Sequence, residues 1–217
     1  MTVVVGALVA VLVVVGAVLL SRSNTSTASV GPTAAPTRSA NATATTAAAA
    51  GAVALQPPPG GCTALEGKGV LRAGAPGLPV VLRSASYAVD RSTTPAGVSR
   101  AGQLTGTLPA GAHVWLLTYP RPDSVDSTPE HHPGSARLYP IGEITTTDGC
   151  WTLQPRALGY PEALGLTYDQ YVVLADATAS QDFADERINK KRDGFSLKEL
   201  SIRAAPIIGI YAVPTTP

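Results

Sequence analysis

An uninterrupted apolar run at the start of the chain constrains this protein most, because it decides the compartment in which the rest must fold. Residues 2–20 contain no charged side chain and consist of Val, Leu, Ala and Gly after a single Thr. An α-helix needs about 20 apolar residues to cross the hydrocarbon core of a bilayer. The sequence therefore predicts a transmembrane helix or signal anchor over residues 2–20, in contact with the cytoplasmic membrane.

A cleaved signal peptide is the alternative interpretation of the same run. The apolar part of a signal peptide is usually about 7–15 residues long and follows a basic segment. No Lys or Arg precedes this run, and only a weak small-residue cleavage site lies near Ala28. A retained anchor fits better, although both interpretations lead to insertion or export.

The orientation in the membrane rests on two signals that disagree. Arg22 and Arg38 follow the apolar run, and the positive-inside rule would leave the C-terminal part in the cytoplasm. The cysteine content and the linker composition favour export instead. We expect a single-pass protein of the cell membrane with its C-terminal domain extracellular.

A linker is predicted over residues 21–61. This segment is rich in Ala, Thr, Ser and Pro, and it contains no aromatic residue. Such a composition cannot bury enough apolar surface to offset the entropy of ordering the chain. We therefore expect disorder here, with a transient helix over residues 47–55, and a folded domain over residues 62–217.

The chain has two cysteines, Cys62 and Cys150, and both follow the apolar run. In an exported chain an even number of cysteines favours a disulfide. Two free buried thiols would be expected if the domain were cytosolic. Because export is favoured, we predict a Cys62–Cys150 bridge.

Composition and motifs argue against several functions. A net charge of +1 with 14% charged residues provides no basic surface for nucleic acid. The sequence contains no G-x-S-x-G motif, no Ser-His-Asp set beyond chance and no phosphate-binding glycine loop. No catalytic residue, cofactor or nucleic-acid partner is therefore predicted.

Short apolar runs separated by Gly and Pro indicate strands in the C-terminal part. The strongest candidate is residues 113–119, which are rich in β-branched and aromatic side chains. Residues 90–101 are predicted as a polar loop. Asp148 and Gly149 predict the turn of a hairpin between residues 142–145 and 150–153. The other strand candidates are residues 69–72, 78–83, 103–108, 137–139, 171–175 and 207–213.

One helix is predicted over residues 180–192, before the last strand. Its acidic residues come early and its basic residues late, as the helix dipole favours, and Gly194 is expected to end it. A second short helix is expected over residues 196–200. The fold class is therefore mainly β, a β-sandwich with a short helical insertion.

Three stretches resemble a group of uncharacterised immunoglobulin-like modules in bacterial membrane-anchored surface and signalling proteins. They are residues 106–117 with their Trp-Leu pair, residues 139–151 from Tyr-Pro to Asp-Gly-Cys-Trp, and residues 172–176. The resemblance covers about residues 100–176. It implies an immunoglobulin-like β-sandwich with an accessory or sensory role, and no catalytic activity.

Aromatic side chains are the candidate ligand contacts, because rings can stack on a sugar or a peptide. Trp residues on sandwich strands are more often part of the core, which is the competing interpretation. The candidates are Trp115, Tyr119, Tyr139, Trp151, Tyr160 and Tyr168. A cell-envelope polymer or protein is the expected partner.

The loop over residues 123–132 collects carboxylates and two imidazoles. A divalent metal site is one interpretation, but adjacent histidines usually point apart and no recognised ligand spacing is present, so a solvated loop is expected. Lys190, Lys191 and Arg192 are likewise expected to form a solvated helix end. We predict a membrane-tethered extracellular binding module. The alternative is an exported cell-wall-modifying hydrolase that uses Asp126, Glu130, His131 and His132.

Overall fold

The computed structural model describes residues 51–121, 137–159, 166–190 and 193–215. Within these ranges the chain forms eleven strands and two helices. The strands are β1 (Val53–Leu55), β2 (Gly67–Lys68), β3 (Leu71–Ala73), β4 (Val80–Asp90), β5 (Gly97–Leu108), β6 (His113–Pro120), β7 (Tyr139–Glu143), β8 (Thr146–Thr147), β9 (Cys150–Ala157), β10 (Thr167–Ala175) and β11 (Ile207–Pro214). The helices are α1 (Ala177–Asn189) and α2 (Leu197–Ile202).

The strands form two antiparallel sheets. The first has the order β2-β4-β5-β9-β8, with β1 paired to β5, and the second has the order β3-β11-β10-β6-β7. Both sheets contribute to one hydrophobic core, which contains Leu104 and Trp151 from the first sheet and Leu116 and Val172 from the second. The prediction of a mainly β domain is confirmed, and the two-sheet arrangement is consistent with a β-sandwich.

A second core lies on the other face of the second sheet, under the two helices. Phe183 of α1 makes edge-to-face ring contacts with Trp115 and Phe195, at centroid distances of 5.8 and 5.1 Å. Trp115 and Leu117 of β6 join this core, while Leu116 between them joins the first. Because both faces of β6 and β10 are covered, β6 and residues 171–175 of β10 are mainly apolar, and the sequence pattern predicted them as strands.

The predicted loop over residues 90–101 is wrong in its larger part. Strand β4 continues to Asp90 and β5 begins at Gly97, so only a short turn separates them. The polar residues build that turn: the Asp90 carboxylate accepts hydrogen bonds from the Ser92 backbone and hydroxyl, and Gly97 N–H donates to Thr93 Oγ1. The polar residues correctly indicated the turn. They also led to the first residues of β5 being predicted as loop.

The predicted turn at Asp148 and Gly149 is confirmed, but its hairpin is assembled differently. The turn joins β8 to β9, with Thr147 opposite Cys150. Strand β7, which overlaps the candidate residues 142–145, belongs to the other sheet and pairs with β6. The chain therefore crosses between the sheets just before the hairpin.

Regular structure begins before the predicted domain boundary at residue 62. Strand β1 pairs with the end of β5, with Val53 opposite Leu108, and Leu55 is only 3% exposed. The prediction of disorder up to residue 61 and of a transient helix up to residue 55 is wrong for this strand. The pairing partner lies far along the chain, so local composition could not reveal it. Residues 1–50, with the predicted membrane segment, lie outside the described residues.

Both predicted helices are present with shifted boundaries. Helix α1 begins after Asp176, whose carboxylate accepts a hydrogen bond from Ala179 N–H, and it ends at Lys190 in a left-handed conformation instead of at Gly194. Helix α2 begins after Ser196, which forms a capping box with Glu199. No helix among the described residues has the length and hydropathy needed to cross a bilayer.

The predicted disulfide is confirmed. Cys62 and Cys150 are bonded, with their Cα atoms 5.4 Å apart. The bridge fixes the segment that follows β1 to the beginning of β9. The same segment approaches the β8–β9 turn closely, since a Cβ atom at Gly149 would lie 3.1 Å from the Pro57 ring. The N-terminal end of the described chain is therefore attached covalently to the first sheet.

Candidate functional site

A cleft of about 460 Å³ lies where the edge strand β7 meets the end of helix α1. Its inner walls are mainly apolar and come from both sheets, with Pro120, Pro140, Ile141 and Ala157 among the lining residues. A volume of roughly 300–1,000 Å³ with mainly apolar walls and a few polar groups is typical of small-molecule sites. This cleft is the candidate functional site.

Two of the six predicted ligand contacts line this cleft. Tyr139 lies on β7 and is partly exposed, and Tyr168 lies on β10 and is 2% exposed. Tyr119 lies elsewhere, packed edge-to-face on Tyr171 at 6.2 Å. Tyr160 lies outside the described residues. The structure thus brings together Tyr139 and Tyr168, which are distant in the sequence.

The two tryptophans are part of the core, so their prediction as ligand contacts is wrong for the described conformation. Trp115 is 3% exposed under α1, and its indole N–H donates to Ser180 Oγ at 2.8 Å. Trp151 is 2% exposed between the two sheets. Neither ring can stack on a ligand, because Trp115 is covered by α1 and Trp151 lies between the two sheets.

The helical wall of the cleft is fixed to the sheet by several hydrogen bonds. Gly194 N–H donates to Glu186 Oε1 at 2.9 Å, and the Tyr139 hydroxyl donates to Asp193 Oδ1 at 3.2 Å. Arg137 donates to the carbonyl oxygens of Asp193 and Gly194. Leu138 and Phe195 also form an antiparallel bridge. Contacts within the chain therefore hold the wall in place.

A buried polar chain reaches the cleft from the core. Arg100 is fully buried, and its Nε–H donates to Gln170 Oε1 at 2.9 Å. Gln170 Nε2 in turn donates to Thr118 Oγ1 at 2.8 Å, and Thr118 lines the cleft. Burial lowers the pKa of Arg100 to about 10, so the guanidinium remains protonated at neutral pH.

Sequence reasoning missed this chain of contacts. Arg100 falls inside the segment predicted as a polar loop, and a lone Arg there indicates solvent exposure. Gln170 and Thr118 lie on strands whose apolar neighbours dominate the pattern. A signal was nonetheless present, because a polar residue on an apolar strand is expected to have a buried hydrogen-bond partner.

Two exposed cations lie at the rim of the cleft. Arg187 and Lys190, at the end of α1, line it, and their side chains form no hydrogen bond or ion pair with any described residue. Their neighbours Lys191 and Arg192 lie outside the described residues. Lys190, one of the three basic residues expected to form a solvated helix end, therefore borders the cleft.

The predicted acidic and histidine-rich loop, with Asp126, Glu130, His131 and His132, lies outside the described residues. Within the described ranges, no group of three or more His, Cys, Asp or Glu side chains is placed to hold a metal ion. The arrangement around the cleft offers binding groups: ring and aliphatic surface, the hydroxyl groups of Thr118, Tyr139 and Tyr168, two carboxylates and two exposed cationic side chains.

Comparisons with protein-family models, with curated proteins and with solved structures found no match.

Proposed function

We propose that this chain is a membrane-tethered extracellular binding module with an immunoglobulin-like β-sandwich and an accessory or sensory role. The observation that carries the proposal is the cleft between β7 and the end of α1, with its apolar walls and the unpaired cationic side chains at its rim. A ligand or a short segment of a cell-envelope partner would be bound there without being chemically changed.

The cellular location rests on two independent features. The apolar run over residues 2–20 has the length of a membrane span. The disulfide between Cys62 and Cys150 is typical of proteins that fold in an oxidising compartment. Together they support a domain outside the cytoplasm, attached to the membrane through the Ala/Thr/Ser/Pro-rich linker.

Replacing Val13 by Arg should reduce the amount of protein in the membrane fraction. A charge at the centre of a spanning helix costs at least about 2.5 kcal/mol on insertion scales. Val70→Arg is the matched control, because Val70 is 78% exposed in the folded domain. Unchanged membrane fractionation of Val13→Arg would show that residues 2–20 do not span the membrane.

A protease site inserted between Arg38 and Ser39 tests the orientation. In intact cells, a protease added outside should release the domain into the medium. Release only after the cells are lysed would place the domain in the cytoplasm and contradict the proposal.

Replacing Ala157 by Trp should weaken binding to isolated cell envelopes by filling the cleft. Ala157 is exposed and lines the cleft, so the larger side chain can enter it without repacking the core. Thr152→Trp is the matched control, because Thr152 is exposed on the same strand but does not line the cleft. Co-sedimentation of the purified chain with envelopes is the measurement. Equal co-sedimentation of both variants, or none for the natural chain, would refute the cleft as the binding site.

A further inference from the structure

The cleft combines features that identify the chemical class of its ligand. From them we infer that it binds a small organic acid, with an apolar or aryl body between the sheets and a carboxylate directed to Thr118 and the rim cations. This inference rests on the proposed function, since it assigns a ligand class to the same cleft.

The hydrogen-bond direction along the buried chain is fixed by chemistry. A guanidinium can only donate, so the side-chain oxygen of Gln170 must face Arg100 and its amide nitrogen must face Thr118. The Thr118 oxygen therefore accepts from Gln170, and the hydroxyl hydrogen must point elsewhere. The orientations of the Gln170 amide and the Thr118 hydroxyl therefore follow from the positive charge of Arg100.

The Thr118 hydroxyl is consequently a donor without an acceptor among the described residues. Its side chain lines the cleft, and the residue is 6% exposed. Because the chain begins at a buried cation, each hydrogen bond in it polarises the next. A ligand oxygen placed in the cleft would accept this hydrogen, and a negatively charged oxygen would gain most from it.

The charged groups around the cleft sum to one positive charge. Glu186 and Asp193 line the cleft and keep their negative charges, but hydrogen bonds from Gly194 N–H and the Tyr139 hydroxyl hold their carboxylates against the wall. The side chains of Arg187 and Lys190 balance these two charges and have no partner among the described residues. The buried Arg100, connected to the cleft through Gln170 and Thr118, makes the sum positive, which favours an anion over a cationic ligand.

The remaining walls define the rest of the ligand. Pro120, Pro140, Ile141 and the ring of Tyr168 offer apolar surface with few donors or acceptors. A polyhydroxylated sugar would leave most of its hydroxyl groups unpaired against these walls, which is costly. An aryl or alkyl carboxylate would place its apolar body against these walls and its negative charge near the cationic side chains at the rim.

Three probes with the same phenyl-propyl body test the charge preference: 3-phenylpropanoate, 3-phenylpropanamide and 3-phenylpropylamine. Each is titrated by calorimetry into the full chain in phosphatidylcholine nanodiscs, with empty nanodiscs as the blank. We expect the acid to bind about three- to tenfold more tightly than the amide, and the amine to bind most weakly. Equal affinities, tighter binding of the amide or amine, or no measurable binding of the acid would overturn the inference.

Variants locate the interaction. Replacing both Arg187 and Lys190 by Glu should remove the preference for the acid, whereas Lys198→Glu, at an exposed position of α2 away from the cleft, should retain it. Thr118→Val should weaken acid binding and Thr118→Ser should restore it, since Ser keeps the hydroxyl. Thermal melting of each variant verifies folding. If Lys198→Glu loses the preference as well, or Thr118→Ser binds like Thr118→Val, the assignment to these groups is wrong.

The two proposals fail in different ways. If Ala157→Trp blocks envelope binding while 3-phenylpropanoate does not bind, the cleft stands and the ligand class is wrong. If Ala157→Trp leaves envelope binding unchanged, the proposed function is wrong even if the acid binds.

Discussion

Cys62→Ser should lower the free energy of unfolding by about 4–5 kcal/mol in the chain-entropy model, because the bridge closes a loop with a sequence separation of 88. For a domain of this size that corresponds to a fall in melting temperature of roughly 10–18 °C. The loop contains β2 through β8, so its closure limits the freedom of a large part of the unfolded chain. Thermal melting under oxidising conditions is the measurement.

Reduction provides the control for this effect. A reducing agent should lower the melting temperature of the natural chain by a similar amount and leave that of Cys62→Ser nearly unchanged. Two thiols that react in the folded, unreduced protein would show that no bridge forms. That result would also remove a main argument for an extracellular location.

Phe183→Ala should cost about 3–5 kcal/mol, the usual range for removing a fully buried Phe. Phe183 is 0% exposed and contacts the rings of both Trp115 and Phe195, so its loss leaves a cavity at the centre of the second core. Chemical denaturation followed by tryptophan fluorescence would measure the change.

Ile188→Ala on the same helix is the matched control, because Ile188 is 67% exposed and should change stability by less than about 0.5 kcal/mol. The Phe183 variant should also weaken ligand binding, since α1 supplies one wall of the cleft. Equal stability of the two variants would mean that the helices are not packed on the sheet as described.

The sequence was most informative where a strand is covered on both faces. Strands β6 and β11 and residues 171–175 of β10 were predicted because their apolar residues are nearly continuous, and the Asp148-Gly149 turn was predicted from its backbone requirement. Strand β1 was missed because its stability depends on pairing with β5, more than 50 residues further along the chain. The disulfide was predicted from the expected export of the domain and from the even number of cysteines, not from any predicted distance between them.

The cleft could not be predicted, because it exists only through tertiary contacts. Thr118, Tyr139, Tyr168 and Lys190 come from three strands and a helix end, and no short motif joins them. Arg100 is a further example: a charged residue normally indicates solvent exposure, whereas here its guanidinium donates to Gln170 on the facing sheet and to the Val98 carbonyl oxygen. Of the aromatic candidates, Tyr139 and Tyr168 line the cleft, whereas Trp115 and Trp151, which are about as buried as Tyr168, do not.

The position of Cys62 also determines how the domain bears a mechanical load. Tension applied from the N-terminal side would first separate β1 from β5, a pairing of only three residues. At Cys62 the pulling force would pass through the covalent bridge directly into β9, without loading the strands between the two cysteines. With a separation of 88 residues, about 300 Å of contour length stays locked until the bridge is reduced. A domain pulled through its N-terminal linker would thus extend by a short, defined length before the bridge bears the load.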